Sequence, residues 1–104
     1  MPIATDPNSE FALAVYASVR AIPAGCVASY GDIARQAGFP RHSRFVGRLM
    51  SRLPQDTQLP WWRVIRSDGR LALVGAAADR QTEKLVAEGV AVIAGRVNLA
   101  RHRA

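Results

Sequence analysis

At 104 residues, with 49% hydrophobic and 21% charged residues, the chain has the length and make-up of one globular domain with a modest core, which excludes intrinsic disorder. Lys plus Arg total 14 against 8 acids, a formal net charge of +6, and such an excess favours a polyanionic partner, nucleic acid first. No apolar stretch approaches the roughly 18–20 residues needed to span a bilayer, and Met1 to Glu10 carries Asp6 and Glu10 but no basic residue, unlike a secretion signal, so the expected location is the cytoplasm with no membrane partner.

Asp6 is placed to cap a first helix running from about Pro7 to Ala21, with Pro7 in its first turn. Phe11, Val15, Val19 and Ile22 recur at helical spacing and form its core face. Pro23-Ala24-Gly25 ends it and turns the chain. Cys26 follows as the single cysteine, so no internal disulfide is available. Val27 and Ala28 read as a short extended piece. Ser29 then caps a second helix, with Asp32 three residues on as a weaker form of the capping box. That helix carries Ile33, Ala34 and Ala37 on one side and ends at Gly38, and Phe39-Pro40 makes the turn. A third helix runs from about Arg41 or His42 to Leu53, stopped by Pro54. Two short helices joined by a glycine-containing turn read as a helix-turn-helix.

Between Ile33 and Gln55 there are five arginines, one histidine and no acid. On the third helix Phe45, Val46, Leu49, Met50 and Leu53 share one face, whereas Arg44, Arg48 and Arg52 lie four apart on another, with Arg41 nearby. An apolar face to seat the helix and an arginine face turned outward is what a DNA recognition helix needs. A solvated basic surface has the same pattern, and the missing acids favour DNA.

Farther on, Val64 to Arg66 and Leu71 to Leu73 flank Ser67-Asp68-Gly69-Arg70, a hairpin signal that reads as a β wing. Asp79 to Glu88 is a fourth helix capped by Gly89, with Leu85 and Val86 facing the core. Val90 to Ile93 and Val97 to Leu99 are expected as short closing strands, and Arg101-His102-Arg103 as a loose basic tail. The two histidines, His42 and His102, have no companions at metal-ligand spacing, so neither metal nor cofactor is implied. The expected fold is mostly α with a small β wing, a winged helix-turn-helix formed by residues 1–104 as a single domain.

Several motifs point further. Ile22-Pro23-Ala24-Gly25-Cys26-Val27 leads into Ser29-Tyr30-Gly31-Asp32-Ile33-Ala34. Arg44-Phe45-Val46-Gly47 follows, then Pro60-Trp61-Trp62-Arg63-Val64-Ile65, Ser67-Asp68-Gly69, and Lys84 with Glu88-Gly89. In order and spacing these resemble the C-terminal domain of O6-alkylguanine-DNA alkyltransferases over about Phe11 to Val92. Those enzymes carry Pro-Cys-His-Arg-Val at the reactive centre, where a base must ionise a thiol with a pKa near 8.5 before it can attack. Here Trp61 stands at the cysteine position and Trp62 at the histidine position, and Glu88 remains at the glutamate position without its partner. An indole has neither a nucleophilic thiol nor a proton-accepting imidazole nitrogen, so no catalytic residue is expected. A tryptophan at that position is the mark of the alkyltransferase-like proteins. Trp62 departs from their usual polar residue.

The resemblance implies a monomer that binds O6-alkylguanine in double-stranded DNA by nucleotide flipping, transfers nothing, and flags the site for nucleotide excision repair proteins. Tyr30 matches the tyrosine that crowds the phosphate beside the lesion, and by position alone it also suits core packing. Arg44 matches the finger that enters the base stack, although a phosphate contact explains it too. Ser43, Gly47 and Arg48 would face the minor groove, with Arg48 bulkier than is usual there, and Ser67 would touch the backbone. Leu53-Pro54 replaces the Asn-Pro of true alkyltransferases. The lesion pocket implied comprises Tyr30, Trp61, Trp62, Arg63, Val64, Val74 and Gly75, although Trp61 or Trp62 also reads as a core aromatic. Two rival readings remain: a winged-helix regulator that reads an operator, and an active alkyltransferase using Cys26, which stands over thirty residues before the pocket motif.

Overall fold

The first helix begins at a serine rather than at Asp6. The computed structural model describes Asp6 and residues 8–104, so the expected role of Pro7 lies outside the described residues. Helix α1 spans Glu10–Arg20, and the Ser9 hydroxyl accepts from the Ala12 amide. Asp6 instead turns the chain before the helix, its Oδ1 accepting from the Asn8 amide at 2.9 Å. Phe11, Val15, Val19 and Ile22 are buried, as their spacing requires.

Strand β1 is Ala28–Ser29 and helix α2 is Tyr30–Gln36. The capping box between Ser29 and Asp32 is complete, with the two reciprocal bonds at 3.0 and 3.1 Å. Helix α3 is Ser43–Ser51, shorter than the expected run to Leu53 because Arg52 has already left helical geometry. The residue before a proline is biased away from the helical region, so Leu53 could not have prolonged it. Val46 and Leu49 of α3 are fully buried against Ile33 and Ala34 of α2 and Phe11, Val15 and Val19 of α1. These three helices enclose the first core and leave the arginine side of α3 outward.

A short 3-10 turn, Trp61–Arg63, leads into strand β2, Val64–Ile65. Strand β2 pairs in parallel with β1, Ala28 opposite Val64 and Ser29 opposite Ile65. That pairing corrects the expected wing. The Asp-Gly turn does form, with the Gly69 amide donating to the Arg66 carbonyl at 2.9 Å. Its second arm, however, pairs with the C-terminal loop: the Leu71 amide donates to the Gly95 carbonyl at 3.0 Å, and Arg70 bridges to Arg96. Gly69 permits this approach. Its φ is +88°, and a Cβ there would stand 2.6 Å from the Val97 carbonyl oxygen.

Helix α4 spans Gly75–Ala87, starting four residues before the expected Asp79. Leu85 is buried, but Val86 is 55% exposed, contrary to expectation, and Gln81 takes the inner position one turn before Leu85. The expected strands at Val90–Ile93 and Val97–Leu99 do not form. Ile93 and Arg96 close a tight turn, and Leu99–His102 is a short helix, α5, capped by Asn98. Nor is the tail loose. The His102 carbonyl accepts from the Val27 amide at 2.8 Å, the Ala104 amide donates to the Val27 carbonyl at 2.9 Å, and Arg103 Nε reaches Asp32 at 3.2 Å. Val27, Ile65, Leu85, Val90 and Val97 make a second core between α4 and this tail. No helix of the described residues is long and apolar enough to cross a membrane.

Candidate nucleic-acid interface

Three clefts follow one another along the face formed by α2, α3 and the Trp61 segment. The first, of about 640 Å³, is lined by Tyr30, Gly31, Ser43, Arg44, Gly47, Arg66 and Ser67. It brings together five of the six residues expected to contact DNA. Arg48 is not on its wall; its guanidinium lies over the Phe45 ring, 5.3 Å from the centroid. Arg66 and Gly31 were not anticipated. No acid lines this cleft, so its field is positive.

The second cleft, of about 340 Å³, shares Tyr30 and Gly47 with the first and adds Met50, Ser51, Trp61, Val64, Ala72, Leu73 and Gln81. Apart from Tyr30, Ser51 and Gln81 its wall is apolar, and it carries neither thiol nor imidazole. Burial, only partly opposed by the Arg66 charge, raises the Tyr30 pKa, so its phenol stays a neutral donor. Ser51 donates to the Arg48 carbonyl at 2.7 Å. Gln81 is 2% exposed and donates through Nε2 to the Trp62 and Val64 carbonyls at 3.1 and 3.2 Å. It thereby pins the backbone of the Trp61 segment. Its Oε1 has no partner among the described residues.

Four residues expected at this pocket stand elsewhere. Trp62 packs on the second core, edge-on to Trp61, with the Lys84 ammonium 4.7 Å above its ring. Arg63 turns inward, donating to the Ile22 carbonyl at 2.8 Å and forking onto Glu88. Glu88, expected to lack a histidine partner, is held by an arginine instead. The Arg63 hydrogen bonds, against the opposing effect of burial, keep the Glu88 pKa below the usual range; the nearby Trp62 N–H adds its dipole without reaching hydrogen-bonding geometry. Val74 is 84% exposed and, with Gly75, begins α4 outside the cleft, leaving the wall to Ala72 and Leu73. Cys26 lies half-buried against the first core and lines none of these clefts.

Residues 10–90 match the model of the 6-O-methylguanine DNA methyltransferase DNA-binding domain. The chain belongs to that family. Within the methyltransferase DNA-binding family it is similar to proteins named for base flipping and for likeness to the transferase. It is 45% identical over 83 residues to a DNA base-flipping protein of Vibrio parahaemolyticus, covering 80% of this chain and 83% of that protein. It is 42% identical over 85 residues to alkyltransferase-like protein 1 of Schizosaccharomyces pombe, 80% of this chain and 79% of that one. Its fold matches the crystal structure of S. pombe Atl1 in complex with damaged DNA containing O6-carboxymethylguanine, with a TM-score of 0.85 and 36% identity over 100% of this chain and 98% of that chain. The expected winged helix-turn-helix of the alkyltransferase type is thus the fold of this chain, its wing a braced turn rather than a free hairpin.

Met50, Ser51 and Gln81 escaped the sequence reading for a physical reason. An apolar or polar residue on the inner side of a helix reads the same whether it meets a core or a cavity. Gln81 alone carried a signal, as a glutamine one turn before the buried Leu85 on the apolar side of α4.

Proposed function

We propose that this protein binds O6-alkylguanine in double-stranded DNA by turning the damaged nucleotide into the second cleft, and that it transfers no alkyl group. The reading rests on one observation above all: Trp61 forms the wall of an apolar cleft that adjoins a positive cleft through Tyr30 and Gly47. Phosphates suit the first cleft, and an alkylated purine suits the second. Arg44, on the wall of the first cleft, would fill the gap left in the stack. Flipping costs on the order of a few kcal/mol, less where alkylation has already weakened pairing, so selectivity begins before the base arrives. Trp61 offers the substituent an apolar face where a transferase needs a thiolate. Without transfer the lesion survives, and its hand-over to nucleotide excision repair by a monomeric sensor completes the proposal.

The test compares two duplexes that differ only in guanine against O6-methylguanine, by fluorescence anisotropy at one stated salt concentration. Intact mass is measured on the same samples afterwards. Tighter binding to the methylated duplex with unchanged protein mass is expected. Equal binding would favour a plain winged-helix DNA binder, and a methyl mass on the protein would make it a transferase.

A further inference from the structure

The cleft beside Trp61 does not end there. A third cleft, of about 460 Å³, is lined by Met50, Leu53, Gln55, Trp61 and Arg80. Met50 and Trp61 line both this cleft and the second one. On α4, Gln81 faces the second cleft and its neighbour Arg80 the third. The two clefts thus adjoin through Met50 and Trp61, and the third is the neighbouring space for a substituent on Trp61 that outgrows the small second cleft.

Building on the lesion reading above, we infer that the third cleft is a subsite for the distal part of long O6 substituents, and that Arg80 selects those ending in a carboxylate. The walls suit a methylene chain: Met50 adapts its shape, and Leu53 and Trp61 are apolar. The charges suit an anion at the end. The lining of the second cleft contains no cation, whereas Arg80 is the cation on the described lining of the third. Asp79 and Glu83 are close to Arg80 in sequence, yet the ion pairs among the described residues do not include it. Its guanidinium is thus available to fork onto an incoming carboxylate, while Gln55 offers the cleft a second polar group.

The experiment measures dissociation constants for duplexes carrying O6-carboxymethyl-, carboxypropyl- and carboxypentylguanine, each beside its matched carboxamide, with O6-methylguanine and guanine as references. For the chain long enough to reach Arg80, the acid should bind roughly three- to fivefold tighter than the amide, the range of an exposed ion pair. Arg80→Ala should abolish that ratio and Arg80→Lys should retain it. Arg101→Ala, an equal loss of charge on α5 in a cleft that shares no residue with the third, should leave it unchanged. A ratio near one throughout the series, a ratio that survives Arg80→Ala, or an equal loss in Arg101→Ala would each overturn the subsite. Failure of the underlying lesion reading looks different, since the wild-type protein would then bind guanine and O6-methylguanine alike.

Discussion

Glu88 works in this structure as half of an ion pair with Arg63. Arg63 forks onto Glu88, and both side chains are mostly buried. The Glu88 pKa is lowered, chiefly by those bonds, so the pair's stabilisation is complete above the ordinary glutamate range near about 4.3 and is lost as pH falls through the lower native value. Glu88→Gln should cost about 2–3 kcal/mol at neutral pH and flatten the fall of Tm below about pH 4, because a partner is removed from a largely buried charge. Superimposable Tm profiles for the two proteins would contradict this. Gly47 separates stability from binding. A Cβ there would stand 4.0 Å from Tyr30 Cε1, so the fold has room for alanine. Gly47→Ala should stabilise α3 by about 0.5–1 kcal/mol in denaturant titrations. Gly47→Leu should instead obstruct the passage between Tyr30 and Trp61 and weaken lesion binding while the protein stays folded. Undiminished binding by the leucine variant would show that the passage is not used.

At the level of elements, the N-terminus of α2 is held from two directions. Asp32 closes the capping box on Ser29 and also receives Arg103 from the C-terminal tail, and Arg35 pairs with it from within the helix. Burial alone would raise its pKa; the Ser29 bonds together with the Arg103 and Arg35 charges outweigh that and lower it. Tyr30 is the first residue of this helix, so the clasp fixes the side chain shared by both clefts. Asp32→Ala should cost about 1–2 kcal/mol, the worth of a good cap, whereas Arg103→Ala, at an exposed pair, should cost less than about 1 kcal/mol. Equal losses in thermal melts would mean that the tail, not the cap, holds the helix. The cap was legible in the sequence because it is local: a serine, three residues, an acid. So were the buried stripe of α1 and the glycine turn before α3. The partners of Leu71, Arg103 and Arg63 were not legible, since each meets a residue more than twenty positions away and no periodicity reports such a contact. Trp62 was undecided for another reason. A tryptophan suits a core and a cavity wall equally, and only the placement of α4 against it settles the matter.

Across the whole molecule the charge of +6 is not evenly spread: the first cleft presents Arg44 and Arg66 with no acid, and Arg41, Arg48 and Arg52 lie exposed along the same segment. Such a surface binds DNA by releasing counterions, whatever the base in the pocket. Affinity should therefore fall with salt at a log–log slope of roughly −3 to −5, as for about four or five neutralised phosphates. The slope alone does not separate lesion reading from general attraction, but two arginines do. Arg41 lies outside all three clefts, so Arg41→Ala should weaken guanine and O6-methylguanine duplexes alike and lower the slope by about one. Arg44 stands on the wall of the first cleft, beside Tyr30 and Gly47. If it enters the stack behind the flipped base, Arg44→Ala removes an interaction that exists only in the flipped state and so cuts the ratio between the two duplexes. Loss of affinity without loss of that ratio would reduce Arg44 to one more phosphate contact and leave lesion discrimination to the Trp61 cleft alone.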